Sequence, residues 1–202
     1  MKEIEKKTRI VCTIGPASDN EAMLRKLINA GMNVMRLNFS HGSHEEHAAR
    51  IELLRKLTEE LHCPVGIMLD TKGPEIRTHD FVGGQTQFHK GQVVRIAADE
   101  IEGTSDRFSI TYHNLYQDVK PGGFILVNDG QISLLVDHVE GTDIVCVCAN
   151  DGIVKNKRGI NVPGIAIQLN YLSEKDIADI EFGCRQNVDF IAASFTRRGQ
   201  DI

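Results

Sequence analysis

Tryptophan is absent from the sequence, and aromatic residues make up only 5% of it. Proteins that bind single-stranded nucleic acid stack bases on aromatic side chains, so this composition argues against that class. Basic residues are not in excess either: the sequence has 23 Lys and Arg and 28 Asp and Glu, which gives a formal net charge of −5. No stretch approaches the roughly 18 apolar residues of a membrane span. The sequence therefore predicts no nucleic-acid and no membrane partner, while a local basic site for phosphate stays open.

Signals of cysteine pairing are also missing. The cysteines are odd in number and contain no C-x-x-C pair; they are Cys12, Cys63, Cys146, Cys148 and Cys184. They predict reduced thiols in a cytoplasmic protein rather than a disulfide framework or a zinc site. Cys146 and Cys148 lie two apart in an apolar run, which predicts that both are buried on one face of a strand. The first seven residues are mostly charged and lack an apolar segment, so no signal peptide is predicted.

The glycine-rich signatures of nucleotide-binding loops are missing as well. The sequence contains neither G-x-x-x-x-G-K-[ST] nor G-x-G-x-x-G. Those loops hold phosphates with backbone N–H groups at the start of a helix. Any nucleotide phosphates would therefore be held here by side chains and metal ions.

The first third of the chain alternates strand and helix patterns. Short β-rich runs at residues 9–14, 33–39 and 65–69 are separated by two segments with helical periodicity. Ser18 with Glu21 and Ser43 with Glu46 predict capping boxes that open the two helices, and Gly31 is placed to end the first. The third run is apolar throughout, as expected of a strand buried on both faces. This rhythm predicts a parallel α/β sheet.

The pattern changes after the third strand and later returns. Residues 78–165 have no helical period, and their β-rich runs lie at 92–97, 124–127, 131–139 and 143–149. A helix capped by Ser173 then carries Ile177, Ile180, Glu181 and Cys184, and a fourth buried strand is predicted at 188–195. We expect a discontinuous α/β domain of residues 1–76 and 165–202, with an antiparallel β domain at 77–164. Four β-α units do not close a barrel of eight, so we expect the N-terminal part of a longer protein or an open half-barrel that needs a partner.

Unusual polar residues follow the predicted strands at their carboxyl ends, where ligands bind in α/β sheets. Arg36, Asn38 and Ser40 are two apart, so an extended strand points them to one side. Asp70 and Thr71 end the next strand and should lie alongside. Oxygens of Asn38, Ser40, Asp70 and Thr71 could form a cage for a hard cation, and Arg36 and Arg77 could bind phosphate or carboxylate through forked contacts. The alternative is an Arg–Asp ion pair with capping Ser and Thr residues.

Two further clusters have simpler interpretations. His41, His44 and His47 recur around the start of the second helix. His44 and His47 could ligate a metal, but no third ligand has suitable spacing, so solvated first-turn residues are expected. The basic residues Lys155, Lys157 and Arg158 are typical of a solvated turn, with a phosphate contact as the alternative.

Six strings, in order and over nearly the whole chain, closely resemble the pyruvate kinase family, in its bacterial form. They are T-R-I-V-C-T-I-G-P-A-S at 8–18, A-G-M-N-V-M-R-L-N-F-S-H-G at 30–42, L-D-T-K-G-P-E-I-R-T at 69–78, K-R-G-I-N-V-P-G at 157–164, L-S-E-K-D at 172–176 and V-D-F-I-A-A-S-F at 188–195. The resemblance implies a (β/α)₈ TIM barrel, here its first four strands, with a small all-β barrel inserted after strand 3 as a lid. It implies transfer of the phosphoryl group of phosphoenolpyruvate to ADP with Mg²⁺ and K⁺, in a cytoplasmic homotetramer.

The resemblance also assigns roles to single residues. Arg36 matches the catalytic arginine that contacts the transferring phosphoryl group. The K⁺ ligands match Asn38, Ser40, Asp70 and Thr71, and the nucleotide-contacting positions match Asn38, His41, Arg77, Lys157 and Arg158. Glu75 matches the glutamate of K⁺-dependent members, where K⁺-independent members carry lysine.

The sequence departs from the family pattern in two places. The second basic residue before G-I-N-V-P-G is usually lysine and is Arg158 here, which changes the reach of the side chain. The chain also ends before the motif that carries the catalytic lysine and the acids that bind Mg²⁺. Two hypotheses follow: the chain is the N-terminal portion of a working pyruvate kinase, or it is an inactive fragment that only binds nucleotide or a partner chain. Another barrel enzyme acting on phosphoenolpyruvate or pyruvate would explain the fold but not the insertion together with the cation cage.

Overall fold

The first part of the chain alternates strands and helices in the computed structural model, which describes residues 7–165 and 167–202. Its elements are β1 (Val11–Thr13), α1 (Glu21–Asn29), β2 (Val34–Asn38), α2 (His44–Leu61) and β3 (Gly66–Asp70). The predicted strand–helix alternation is therefore present here. The charged N-terminal segment lies, up to residue 6, outside the described residues.

The middle of the chain consists mostly of strands. The elements are β4 (Ile76–Arg77), β5 (Gln85–Phe88), β6 (Val93–Ala97), β7 (Arg107–Ser109), the short helix α3 (Leu115–Asp118), β8 (Phe124–Val127), β9 (Ile132–Glu140), β10 (Asp143–Cys148), β11 (Gly152–Lys155) and β12 (Gly159–Asn161). Helix and strand then resume as α4 (Glu174–Arg185) and β13 (Phe190–Ala192). Two compact units result: one holds the residues up to Pro74 together with Asn170–Ile202, and the other is Glu75–Leu169.

The first unit is built on a parallel sheet of four strands in the order β1-β2-β3-β13. Its strands form a curled, half-barrel sheet, so the predicted α/β class is confirmed. One face is covered by α1 and α2, whose Leu24, Ile51 and Leu54 are fully buried against Met35 and Leu37 of β2. Burying each such side chain contributes roughly 1.5–3 kcal/mol to the stability of the unit.

The second unit contains a seven-stranded sheet in the order β4-β12-β8-β9-β10-β6-β7 and a two-stranded sheet of β11 and β5. All its strand pairs are antiparallel except β6 with β7. Cys146 and Cys148 are buried in its core, and burial raises the pKa of the Cys146 thiol to about 12. Strands such as β5 were missed because they are short and polar: β5 reads Q-T-Q-F, and only Phe88 of it is buried.

Two of the three helix caps predicted from the sequence are present in the structure. Ser43 with Glu46 and Ser173 with Asp176 form capping boxes. The prediction for Ser18 is wrong, because α1 begins after Asn20, whose Oδ1 accepts a hydrogen bond from the N–H of Met23 at 3.0 Å. The Ser18 hydroxyl is held by the backbone of Gly15, three residues earlier, and so cannot cap the helix.

The buried face of α4 includes two acids that the sequence analysis did not name. Ile177 and Cys184 are exposed, whereas Asp176, Asp179 and Phe182 are buried. A buried carboxylate needs hydrogen-bond partners. Both acids have such partners, which are described below.

The predicted burial of β3 and of the fourth strand on both faces is also wrong. In β3, Met68 is only half-buried, whereas its neighbours Ile67 and Leu69 are buried. The residues of β2 alternate in the same way between buried and half-buried. Phe190 in β13 is 50% exposed. Helices cover only one face of this sheet among the described residues, and the other face carries the polar side chains of the site. Within the same residues, no helix is long and apolar enough to cross a membrane.

The position of the α1 cap can be tested with Asn20→Ala. Loss of the side-chain acceptor for the Met23 N–H should lower the free energy of unfolding by about 1 kcal/mol, measured by urea denaturation. Asn29→Ala, an exposed change in the last turn of the same helix, is the control and should stay within about 0.5 kcal/mol of wild type. Equal stability of the two variants would contradict the cap.

Candidate functional site

The carboxyl ends of the parallel strands bring predicted site residues of the first unit into one row. Thr13 of β1 is in register with Arg36 of β2, and Asn38 of β2 is in register with Asp70 of β3. Residues in register on parallel neighbours point to the same side of a sheet. Arg36, Asn38 and Asp70 therefore share the face that the helices leave open.

Arg36 is held by a fork of hydrogen bonds. Its Nε donates to Asp70 Oδ2 at 2.8 Å, Nη2 donates to the same oxygen, and Nη1 donates to Thr13 Oγ1 at 2.7 Å. These contacts use three of the five guanidinium hydrogens. The Arg–Asp ion pair that the sequence left as an alternative is thus present, and it orients a half-buried guanidinium whose other hydrogens could meet an oxyanion.

Asp70 has a second partner that the sequence analysis did not single out. Ser194, two residues beyond β13, donates from Oγ to Asp70 Oδ1 at 2.7 Å, and its N–H donates to Thr71 Oγ1 at 3.1 Å. Thr71 in turn donates to the carbonyl of Ala192 at 3.3 Å. The signal for Ser194 was its position at the end of the fourth parallel strand, the same criterion that selected Asp70.

The loop after β2 is fixed by short-range contacts. Asn38 Oδ1 accepts the N–H of Ser40 at 3.0 Å, which folds the backbone into a tight turn. The N–H of Phe39 donates to the carbonyl of Asp70 at 3.0 Å, and the Phe39 ring is buried. Asn38 and Ser40 are thereby carried on a short loop that is tied to the end of β3.

The side chains at this edge are of a kind that suits a hard cation. Asn38, Ser40, Asp70 and Thr71 offer one amide oxygen, two hydroxyls and a single carboxylate, all hard oxygen ligands. In the contacts described, Asn38 Oδ1 and Thr71 Oγ1 each accept one hydrogen bond, and the Asp70 carboxylate accepts three. Each therefore keeps acceptor capacity for an ion. For Mg²⁺ the result differs: among the described residues, no group of three or more His, Cys, Asp or Glu could hold a metal ion.

The histidines near α2 are not the solvated residues that were predicted, except His41. His44 Nε2 lies 2.7 Å from Asp179 Oδ1, and its ring stacks on Phe182 at 4.4 Å. His47 is buried and stacks on Phe39 at 4.0 Å. Spacing alone could not reveal this, because the aromatic partners belong to other elements.

His47 also fixes the position of His41. Its Nε2 lies 2.9 Å from the His41 carbonyl, which can only accept, so Nε2 carries the hydrogen. The buried Nδ1 has no hydrogen-bond partner among the described residues. Burial lowers the pKa of His47, outweighing the carbonyl of His41, so the ring is neutral near pH 7. His41 itself is exposed.

The remaining predicted residues lie in the second unit. Arg77 forms a two-point ion pair with Glu75, with Nε–Oε2 at 2.8 Å and Nη2–Oε1 at 2.7 Å, and its Nη1 donates to the carbonyl of Lys157 at 2.7 Å. Lys157 has a left-handed backbone and an exposed side chain. Arg158 is half-buried, and its Nε has no hydrogen-bond partner among the described residues. Arg77 and Lys157 are therefore brought together, whereas Arg158 turns inward.

Comparisons with known proteins agree with the geometry. A family model described as pyruvate kinase, barrel domain, matches residues 5–202. Proteins named pyruvate kinase from Staphylococcus epidermidis strain ATCC 35984 and Staphylococcus aureus strain USA300 are 52% and 53% identical to this chain over 199 residues. These matches cover 98% of this chain and 34% of each relative, so the chain spans about a third of the length of the curated relatives it matches.

His47 makes the stability of the chain depend on pH. Its pKa in the folded state is lower than the value of about 6.5 expected when unfolded, so the unfolded chain binds a proton more readily. The stability that the neutral ring contributes is complete well above pH 6.5 and declines as the pH falls through that value. His47→Phe keeps the stacking and should flatten this dependence in thermal unfolding. His138→Phe, on the exposed surface of β9, should keep it; a parallel decline in both variants would exclude His47 as the cause.

Proposed function

Because the chain belongs to the pyruvate kinase family, we propose that it forms part of an enzyme that transfers the phosphoryl group of phosphoenolpyruvate to ADP, giving pyruvate and ATP in glycolysis. The observation that carries the proposal is the ordered Arg36–Asp70 pair in one row with Asn38 at the carboxyl ends of parallel strands. Such an edge is where α/β sheets bind ligands. We further propose a cytoplasmic location and a homotetramer, both of which the family resemblance favours.

For the fold, we propose that the four parallel strands are the first half of a (β/α)₈ barrel. The catalytic domain then comprises residues 1–76 and 165–202, and residues 77–164 form a small β-barrel that acts as a lid. The support is the parallel order of β1, β2, β3 and β13 and the mostly antiparallel sheet of the second unit. A lid would exclude water from a phosphoryl group that water could otherwise capture.

Arg36 is the proposed catalytic residue of this chain. Phosphoryl transfer depends mostly on positioning and on stabilising negative charge. Asp70 and Thr13 hold three guanidinium hydrogens in place, so the remaining ones are pre-oriented and no reorganisation is needed when charge develops on the phosphoryl oxygens.

The potassium site is assigned to Asn38, Ser40, Asp70 and Thr71. Bound K⁺ and Mg²⁺ supply positive charge that offsets the negative charge of the phosphoryl group during transfer. The chain's own contribution is the donor set, which Arg36 and Ser194 hold in place through Asp70. The acids that bind Mg²⁺ in the family match no residue of this chain.

The nucleotide contacts are assigned to Asn38, His41, Arg77 and a residue of the Lys157–Arg158 pair. Exposure of the Lys157 ammonium favours Lys157 over Arg158, whose Nε is buried. Arg77 supports the choice, because it donates to the Lys157 carbonyl and so couples the two cations.

The 202-residue chain assayed alone should form no ATP from phosphoenolpyruvate and ADP at any K⁺ or Mg²⁺ concentration. The lysine and acids that the family uses in catalysis match no residue within it. An inactive fragment that binds only nucleotide or a partner chain is therefore the second candidate for the isolated chain. Measurable turnover would refute it.

The role of Arg36 is tested by Arg36→Lys in the complete protein that carries this chain. Lysine keeps the charge but loses the fork, so kcat/KM for phosphoenolpyruvate should fall about 100-fold in an assay coupled to pyruvate reduction. Arg25→Lys, which alters a surface ion-pair network on α1, should leave it within about twofold. Activity of Arg36→Lys close to wild type would remove Arg36 from the reaction.

The role of Glu75 is tested by comparing Glu75→Lys with Glu75→Gln. In the family, lysine here accompanies K⁺ independence because a tethered ammonium replaces the charge of the ion. Glu75→Lys should therefore reduce activation by added K⁺ at least about tenfold, while Glu75→Gln, which only frees Arg77, should retain it. Unchanged activation of Glu75→Lys by K⁺ would show that the assignment is wrong.

A further inference from the structure

Helix α4 reaches the two loops that carry the proposed potassium ligands. The helix lies far along the chain from them: Gly73 and Asp176 are separated by 103 residues, and Phe39 and Lys175 by 136. Contacts over such separations are costly in chain entropy, so they form only where the folded structure offsets that cost.

The first contact holds the loop after β2. Lys175 Nζ donates to the carbonyl of Phe39 at 2.7 Å and to Asp179 Oδ2 at 2.5 Å. Phe39 stands between Asn38 and Ser40, and its N–H is already bound to the carbonyl of Asp70. Both peptide groups flanking this residue are thus fixed, one by β3 and one by α4.

The second contact holds the loop after β3. The N–H of Gly73 donates to Asp176 Oδ1 at 3.0 Å, and the Ser173 hydroxyl and N–H donate to Oδ2. Burial raises the pKa of Asp176, but these hydrogen bonds outweigh burial and hold the pKa below the ordinary aspartate value, so the carboxylate is a charged acceptor at neutral pH.

The backbone at Gly73 shows how closely this loop is fitted. Its φ is +62°, and a Cβ at this position would lie 2.5 Å from the carbonyl oxygen of Ser194. The loop that follows Thr71 is therefore held between Ser194 on one side and Asp176 on the other.

The cost of this arrangement points to a role beyond packing. Asp176 is fully buried and Asp179 is 2% exposed, although α4 also has an apolar face that could have faced inward. Burying carboxylates is unfavourable unless every partner is in place. Asp179 binds His44 and Lys175, while Lys175 and Asp176 contact two loops that both carry proposed potassium ligands.

We propose that Lys175 and Asp176 are positioning residues of the potassium site: from the first turn of one helix they set the distance between the Asn38–Ser40 loop and the Asp70–Thr71 strand end. The inference rests on the proposed function, because it takes those four residues as the K⁺ ligands. Neither residue contacts the ion; each acts through a backbone group of a ligand-bearing loop.

The test uses the complete protein and thallium(I), an ion of the same charge as K⁺ and nearly the same size, observed directly by ²⁰⁵Tl NMR titration. Lys175→Met removes the donor to Phe39 and should weaken thallium binding and raise the K⁺ activation constant about tenfold. The kcat at saturating K⁺ should stay within about twofold, a split that general loss of stability would not produce. Lys175→Arg, which still offers a donor, should recover most of the affinity.

Two further variants complete the test. Arg185→Met removes an exposed cation from the other end of α4 and should bind thallium like wild type. Asp176→Asn should weaken thallium binding as Lys175→Met does. If Asp176→Asn fails to fold, the comparison of Lys175→Met with Lys175→Arg decides the test. Wild-type affinity in Lys175→Met would overturn the inference. Absence of thallium binding and of K⁺ activation in the wild-type protein would instead overturn the potassium site itself.

Discussion

The carboxylate of Asp70 is the group on which the arrangement of the site depends. It is nearly buried, so its charge must be matched by donors, and these come from Arg36 and Ser194. Arg36 in turn binds Thr13. One buried charge thereby links β1, β2, β3 and the segment after β13. The ends of four strands are held in register by electrostatics as well as by their backbone ladder.

This dependence explains why the inner face of the sheet stays polar. Helices cover the other face with aliphatic side chains, and that interface could form with many apolar residues of similar volume. The polar row allows less exchange, because removing one member leaves another buried and unpaired. The polar face of the sheet therefore tolerates fewer substitutions than the aliphatic face. The proposed potassium ligands lie on the polar face.

Much of the fold could be predicted from the sequence because the deciding signals are local. The capping box at Ser43 and the periodic burial of Ile51, Leu54 and Leu57 need no knowledge of the rest of the molecule. The row of Arg36, Asn38 and Asp70 follows from side-chain alternation and parallel register alone.

The wrong predictions depend instead on contacts between residues that are distant along the chain. The burial of Asp176 and Asp179 on α4 was not predicted, because Gly73 and His44, which contact them, lie more than 100 residues away along the chain. His44 and His47 looked solvated because their partners Phe182 and Phe39 cannot be seen in their own turn. Short strands such as β5 pair with distant edges and have little apolar pattern.

The separation of the site's parts along the chain has a consequence during synthesis. Asp70 and Ser194 are 124 residues apart, and at roughly 5–20 residues per second a ribosome needs on the order of ten seconds to pass from one to the other. During that interval Arg36 is the carboxylate's available partner, and the intervening unit has time to collapse on its own and shorten the loop that must close. Nascent chains should therefore complete the proposed cation-binding edge only after residue 194 has been synthesised.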